Sequence, residues 1–157
     1  MDYHTYNEIK TQTEAWKEAI AVTVEQAEEI RKLTDRYEQV IFTGCGSTYY
    51  LSLAGSALFQ SLTNKSARAV PASELLFNTP SVIARGSRNL LVAVSRSGTT
   101  TETLRAVEMF KREQLGEVIV ISNYDTSMSP LADLKIVIPA GQEKSVAQTR
   151  SFASMYV

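Results

Sequence analysis

The clearest chemical signal in this chain is the hexapeptide SRSGTT at residues 95–100, which joins two apolar runs. The run before it, residues 90–94, reads as a buried strand, and residues 102–110 read as an amphipathic helix. A helix begins with unpaired backbone N–H groups and about half a positive charge, and short hydroxyl side chains add donors without filling the space. This combination of strand, turn and helix start predicts a cradle for a phosphate.

A second turn of the same kind lies upstream. Residues 40–43 read as a buried strand, residues 44–46 (GCG) as a tight turn, and residues 47–50 (STYY) as the start of a helix. The third glycine of a dinucleotide-binding fingerprint is absent, and neither turn has the lysine of a nucleotide P-loop. A compact phosphate with attached hydroxyl groups, as in a sugar phosphate, therefore fits better than a nucleotide.

Length and composition indicate one globular domain. The chain has 157 residues, of which 44% are apolar and 21% charged, and its net charge is −1. This balance gives no reason to expect nucleic acid or an anionic membrane as a partner, and no apolar stretch approaches the roughly 18 residues of a membrane span. A single cysteine rules out an internal disulfide and a cysteine-only metal site. We expect a cytoplasmic protein that needs no metal or cofactor.

The apolar pattern alternates between strand and helix periods along most of the chain. Strands are predicted at residues 40–43, 67–71, 90–94, 118–122 and 135–138. Helices are predicted between them at 47–62, 72–78, 99–114 and 129–133. This order predicts an α/β fold, a three-layer αβα sandwich around a five-stranded parallel sheet of flavodoxin-like order, 2-1-3-4-5. Strands 1 and 3 are then neighbours, so the two hydroxyl-rich turns would face one crevice.

The two ends of the chain lie outside this alternation. Residues 1–38 are predicted to form an arm of two helices outside the sheet, and residues 39–157 the domain itself. A last helix is predicted to begin at Glu143, and its apolar pattern still continues at Val157 without a helix-ending residue. We therefore expect the chain to be a fragment of a longer protein.

Five ordered motifs resemble the sugar isomerase (SIS) domain family. They are GCGSTY at 44–49, ASEL at 72–75, SRSGTTTET at 95–103, ISN at 121–123 and AGQEKSVAQTRSF at 140–152. The pattern is most similar to the first of the two SIS domains in glutamine–fructose-6-phosphate aminotransferase, and to tagatose-6-phosphate ketose/aldose isomerase and fructosamine-phosphate deglycase relatives. The arm is similar too, since Glu8-Ile9 matches a Glu-Ile that precedes the domain in this family.

The resemblance implies that the turn at 95–100 binds the phosphate of a substrate. The family's phosphate-binding positions match Ser95, Ser97 and Thr100. Arg96 stands where the aminotransferases usually have glutamine, and it is expected either to steer the phosphate or to pair with an acidic residue. The simpler alternative is that these hydroxyl groups only cap the following helix, for which a single residue would suffice.

The resemblance also implies contacts with the hydroxyl groups of a sugar. These positions match Ser47, Thr48 and Val146, and Gln148 stands where the aminotransferase pattern has a serine. That departure leaves the identity of the sugar open. A Gly-x-Gly turn into a helix is also common scaffolding, so a purely structural role for Ser47 and Thr48 stays open as well.

No stretch matches the catalytic glutamate, lysine and ring-opening histidine, which in this family come from the second domain or a partner subunit. The lone His4 is interpreted as a surface residue and Cys45 as a small buried one, while Glu143 is either a base or a helix-stabilising glutamate. The resemblance thus implies a sugar-phosphate half-site of a phosphosugar aldose–ketose isomerase, or of an aminotransferase or deglycase relative. Its expected partner is a second SIS domain, in cis or in a homodimer. The alternative is a non-catalytic sugar-phosphate sensor.

Overall fold

A single parallel sheet organises the molecule, for which a computed structural model describes residues 3–84 and 86–157. Its five strands lie in the order β2-β1-β3-β4-β5. They are β1 (Gln39–Gly44), β2 (Ser66–Pro71), β3 (Asn89–Val94), β4 (Gly116–Ser122) and β5 (Leu134–Val137). This is the predicted flavodoxin-like order, so the predicted fold class is confirmed.

Helices connect the strands and flank the sheet. They are α1 (His4–Glu25), α2 (Ala27–Asp35), α3 (Ser47–Thr63), α4 (Ala72–Phe77), α5 (Thr79–Val82), α6 (Thr101–Arg112) and α7 (Arg150–Tyr156). One-turn 3-10 helices lie at Ser129–Leu131 and Pro139–Gly141. Across the described residues, no helix combines the length and the apolar character that a membrane crossing requires.

The central strand β3 explains how the sheet is covered. All six of its residues are buried, as expected of a parallel strand with helices on both faces. Because successive side chains point to opposite faces, Leu91 and Ala93 join one apolar core while Leu90 and Val92 join the other. The sequence run LLVAV therefore encodes a strand that is apolar on both sides.

Each face carries its own helical layer. Leu75 of α4 and Phe110 of α6 are fully buried in the core on one face. The opposite core contains Ala19 of α1, Leu33 of α2 and Leu51 of α3, with α7 packed beside them. The predicted N-terminal arm is thus helical and lies outside the sheet, where it forms part of this second layer.

The prediction of the last helix is wrong at its start. Helix α7 begins at Arg150, and residues 143–149 form an irregular segment instead. Hydrogen bonds to side chains fix this segment, including two backbone N–H groups that donate to Glu8 of α1. The helix predicted at 129–133 is only a single 3-10 turn, because the chain then enters β5, with the N–H of Asp133 donating to the carbonyl of Val118.

Candidate functional site

Both hydroxyl-rich turns lie at one edge of the sheet. Strands β1 and β3 are paired in parallel, with Thr43 opposite Ala93, so both strands end at the same edge. The first turn follows Gly44 and leads into α3, and the second follows Val94 and leads into α6. The carboxyl edge of an open parallel sheet is where α/β folds bind ligands.

The turn at 95–100 is organised by its own hydroxyl groups. Ser95 Oγ accepts a hydrogen bond from the N–H of Gly98 at 3.2 Å and lies 3.1 Å from Thr100 Oγ1. Ser97 Oγ accepts bonds from the N–H of Thr99 at 3.2 Å and from Thr99 Oγ1 at 2.9 Å. Ser95 is only 1% exposed, whereas Ser97 and Thr100 are half-buried. Ser97 and Thr100, together with the exposed Thr99, are therefore the hydroxyl groups of this turn within reach of solvent.

The start of α6 is not capped by a side chain. Thr100 occupies the N-cap position, but its side chain makes no capping hydrogen bond. The simpler alternative, in which these hydroxyl groups serve as helix caps, therefore does not describe Thr100. The first backbone N–H groups of a helix have no partner within the helix, so this end of α6 offers donors and positive potential to an anion.

Thr126 and Met128, which follow β4 in the chain, support the turn at 95–100. Gly98 has a φ of 65°, and a Cβ atom there would collide with Thr126 Oγ1. Thr126 Oγ1 donates to the carbonyl of Ser97 at 2.6 Å, and the N–H of Met128 donates to the carbonyl of Gly98 at 3.1 Å. Only glycine accommodates both this backbone conformation and this close approach. The sequence signal for the turn gave no indication of this support.

The first turn is also shaped by a hydroxyl group. Thr48 is 4% exposed, and its Oγ1 donates to the carbonyl of Cys45 at 3.0 Å and accepts from the N–H of Cys45 at 3.1 Å. A Cβ atom on Gly44 would lie 2.7 Å from the same oxygen. The side chain of Thr48 is therefore engaged in holding the turn. Cys45 is half-buried with a free thiol.

Ser47 is linked across the edge to the segment before α7. Its hydroxyl donates to Gln148 Oε1 at 2.7 Å, and both residues are half-buried. Val146 belongs to the same segment, but its side chain is 95% exposed. The structure thus brings Ser47 and Gln148 together, and it directs the side chain of Val146 into solvent.

Arg96 pairs with an acidic residue. Its Nη1 lies 3.6 Å from Oε1 of Glu143, whose side chain is completely buried. The carboxylate of Glu143 also accepts from the N–H of Thr149 at 3.1 Å, from the N–H of Ser151 at 3.3 Å and from the Ser151 hydroxyl. The structure thus contains one of the two contacts expected for Arg96, the pair with an acidic residue. Glu143 stabilises the start of α7, although it lies seven residues before that helix.

Sequence reasoning missed the contribution of α1. Glu8 of α1 is 5% exposed and binds the backbone of Lys144 and Ser145, and Glu18 accepts from the N–H of Ala140 at 2.5 Å. One signal was available, because Glu8 shares helical spacing with Ala15 and Ala19, the other buried residues of α1. His4 is exposed at the start of the same helix. Among residues 3–84 and 86–157, no group of three His, Cys, Asp or Glu residues could hold a metal ion.

The SIS domain family matches residues 32–157 of the chain. Glutamine–fructose-6-phosphate aminotransferase (isomerizing) from Pyrococcus horikoshii is 28% identical over 156 residues, which cover 99% of this chain and 26% of that protein. The protein of the same name from Helicobacter pylori is 33% identical over 120 residues, 76% of this chain and 20% of its own length.

A protein of known structure from Escherichia coli has a similar fold. The structure of its tagatose-6-phosphate ketose/aldose isomerase aligns with a TM-score of 0.86 and 21% sequence identity. The alignment covers 98% of this chain and 45% of that one. The chain therefore spans less than half of this solved relative and about a quarter of the Pyrococcus horikoshii protein, 26%.

Proposed function

Since the chain belongs to the SIS domain family, we propose that it binds a sugar phosphate at the edge formed by the ends of β1 and β3. The observation that carries this proposal is the geometry of the turn at 95–100, where solvent-accessible hydroxyl groups adjoin a helix start without a side-chain cap. A phosphate there would meet hydrogen-bond donors and the positive end of α6 together.

Ser97 is suited to donate to the phosphate. A hydroxyl group has one hydrogen to donate and two lone pairs to accept, and Ser97 Oγ accepts twice from Thr99. Its own hydrogen is thus available to an anion. Thr100 and the first N–H groups of α6 complete the donor set. Ser95 lies beneath them and holds the N–H of Gly98 in place, while the charge of Arg96 faces the Glu143 carboxylate 3.6 Å away.

The sugar lies on the side of the first turn in this proposal. Ser47 and Gln148 already share a hydrogen bond, and each has the polar groups to bind a sugar hydroxyl instead. The hydroxyl of Thr48 is used within the turn, so Thr48 acts by holding the turn in shape. Any contact at Val146 comes from the backbone, because its side chain points into solvent.

The reaction we propose for the longer protein is an aldose–ketose interconversion. After ring opening, a base would remove a proton from one of carbons C1 and C2 and return it to the other through a cis-enediol. The phosphate anchor holds the reacting carbons in place for that transfer. We assign the base and the ring-opening group to a second SIS domain, in cis or in a homodimer.

Calorimetric titration of the chain with fructose 6-phosphate and with fructose tests the proposal. We expect measurable binding of the phosphorylated sugar and none of fructose, because the turn at 95–100 addresses the phosphate. Equal binding of the two sugars, or binding of neither, contradicts the proposal.

Turnover separates the isomerase from a sugar-phosphate sensor. We expect this chain to bind fructose 6-phosphate without converting it, and a longer product that contains a second SIS domain to convert it. Conversion by this chain alone would show that a complete catalytic site lies within these residues, and Glu143 would then be the first base to replace. Binding without conversion by the longer product would favour the sensor.

A further inference from the structure

Glu8 makes an unusual set of contacts for a glutamate on an N-terminal helix. Its side chain is buried, with 5% exposure, although α1 is mostly solvated on its other faces. The carboxylate accepts hydrogen bonds from the N–H of Lys144 at 2.6 Å, from the N–H of Ser145 at 3.3 Å and from the Ser145 hydroxyl. All three donors belong to the irregular segment 143–149.

That segment reaches the candidate site at its other end. Gln148 accepts from the Ser47 hydroxyl at 2.7 Å, so the segment bridges α1 and the first turn. Glu143 fixes the end of the segment next to α7 through the N–H groups of Thr149 and Ser151. Glu8 binds the part of the segment between Glu143 and Gln148.

A buried carboxylate of this kind contributes more to geometry than to stability. Removing an ionised group from water is unfavourable, and hydrogen bonds offset that loss only when several donors converge on the carboxylate. The pKa of Glu8 reflects this balance. Burial acts to raise it, but the hydrogen bonds from Ser145 and Lys144, together with the nearby Arg150 cation, lower the pKa below its ordinary value. Glu8 is therefore charged at neutral pH and keeps its donors in place.

We propose that Glu8 is a positioning residue that holds segment 143–149 over the first turn, so that Gln148 and Ser47 are presented together to the sugar. This inference rests on the proposed function and assigns a determinant of sugar recognition to α1. Glu8 does not touch the ligand. It acts through the backbone of Lys144 and Ser145. Lys144 lies 136 residues after Glu8 in the sequence.

The test compares Glu8→Ala and Glu8→Gln with the exposed control Glu14→Ala on the same helix. Calorimetry measures binding of fructose 6-phosphate and of inorganic phosphate to each variant. Glu8→Ala should weaken fructose 6-phosphate binding about tenfold, as expected for the loss of a hydrogen bond on the sugar side. Glu8→Gln keeps one acceptor oxygen and should fall between Glu8→Ala and wild type. Phosphate binding should be unchanged in all variants, because the backbone of the turn at 95–100 is held by Thr126 and Met128 and not by the residues that Glu8 binds.

Hydrogen exchange provides a second measurement, independent of the ligand. The N–H groups of Lys144 and Ser145 should lose protection in Glu8→Ala while the N–H groups of β3 keep theirs. If Glu8→Ala does not fold, a double-mutant cycle with Glu8→Gln and Gln148→Ala replaces it. Glu8→Gln should then have no further effect on fructose 6-phosphate affinity once Gln148 is removed.

Each outcome separates this inference from the proposed function. If wild type binds no fructose 6-phosphate, the proposed function fails and the inference fails with it. If wild type binds the sugar phosphate and Glu8→Ala binds it equally well, the inference alone is overturned. It is also overturned if phosphate and fructose 6-phosphate affinities fall together, since that result indicates general loss of structure, or if the double-mutant effects are additive.

Discussion

Replacement of Ser97 by alanine tests the proposed phosphate contact most directly. The Ser97 hydroxyl accepts two hydrogen bonds from Thr99, which leaves its own hydrogen for a ligand. A hydrogen bond to a charged group contributes about 1.5–3 kcal/mol. Ser97→Ala should therefore weaken binding of fructose 6-phosphate by about ten- to a hundredfold. The free energy of unfolding should change by no more than about 0.5 kcal/mol, since Thr99 is exposed and water can replace the lost acceptor.

The assay for this prediction combines calorimetric titration with thermal unfolding of the same variant. Ser61→Ala is a matched control, because Ser61 is an exposed serine in the last turn of α3, at the opposite end of that helix from the first turn of the site. It should change neither affinity nor unfolding. An unchanged affinity in Ser97→Ala would refute the reasoning about the free hydroxyl hydrogen. A large drop in thermal stability would show instead that Ser97 is a structural residue.

Two further predictions concern the support of the site. Gly98→Ala should lower the free energy of unfolding by about 1–3 kcal/mol, because residue 98 has a φ of 65° and the new Cβ would collide with Thr126 Oγ1. Gly86→Ala, at an exposed residue with a φ of 76° and no atom within 4 Å of the Cβ, carries backbone strain without the clash, so a loss in Gly98→Ala no larger than in Gly86→Ala would count against the steric argument. Since the pKa of Glu8 is lowered, its contribution to stability is fully present above the ordinary pKa of a glutamate and is lost as the pH falls through the lowered pKa. The difference in the free energy of unfolding between wild type and Glu8→Ala, measured with urea, should accordingly become smaller as the pH falls. A difference that stays constant would contradict the lowered pKa of Glu8.

The sheet could be predicted from sequence because its signals are local. Residues 90–94 are apolar without interruption, and in the structure the whole of β3 is buried. The order of the strands followed from the handedness and short length of the connections. The start of α7 could not be predicted in the same way. Residues 143–149 have enough helical character to read as a helix. Their N–H groups donate to Glu8 and Glu143 instead, and the bonds to Glu8 form only because α1 packs against this segment.

The candidate site likewise has a local part, which the sequence predicts, and a part made by residues far apart in the chain, which it does not. The turn at 95–100 is built from consecutive residues, so its hydroxyl groups and its glycine were visible together in the sequence. The pairing of Ser47 with Gln148 joins residues 101 positions apart, and only the resemblance to a family connected them.

Glu8 and Glu14 look alike as glutamates on one helix, yet Glu8 is buried and Glu14 exposed. What distinguishes Glu8 is its place on the buried stripe of α1, seven residues before Ala15. An acidic residue on the buried stripe of an amphipathic helix requires partners from another part of the chain, because an unpaired buried carboxylate is strongly unfavourable. The position of such a residue in the helical pattern therefore predicts a long-range contact, and here that contact leads to the site.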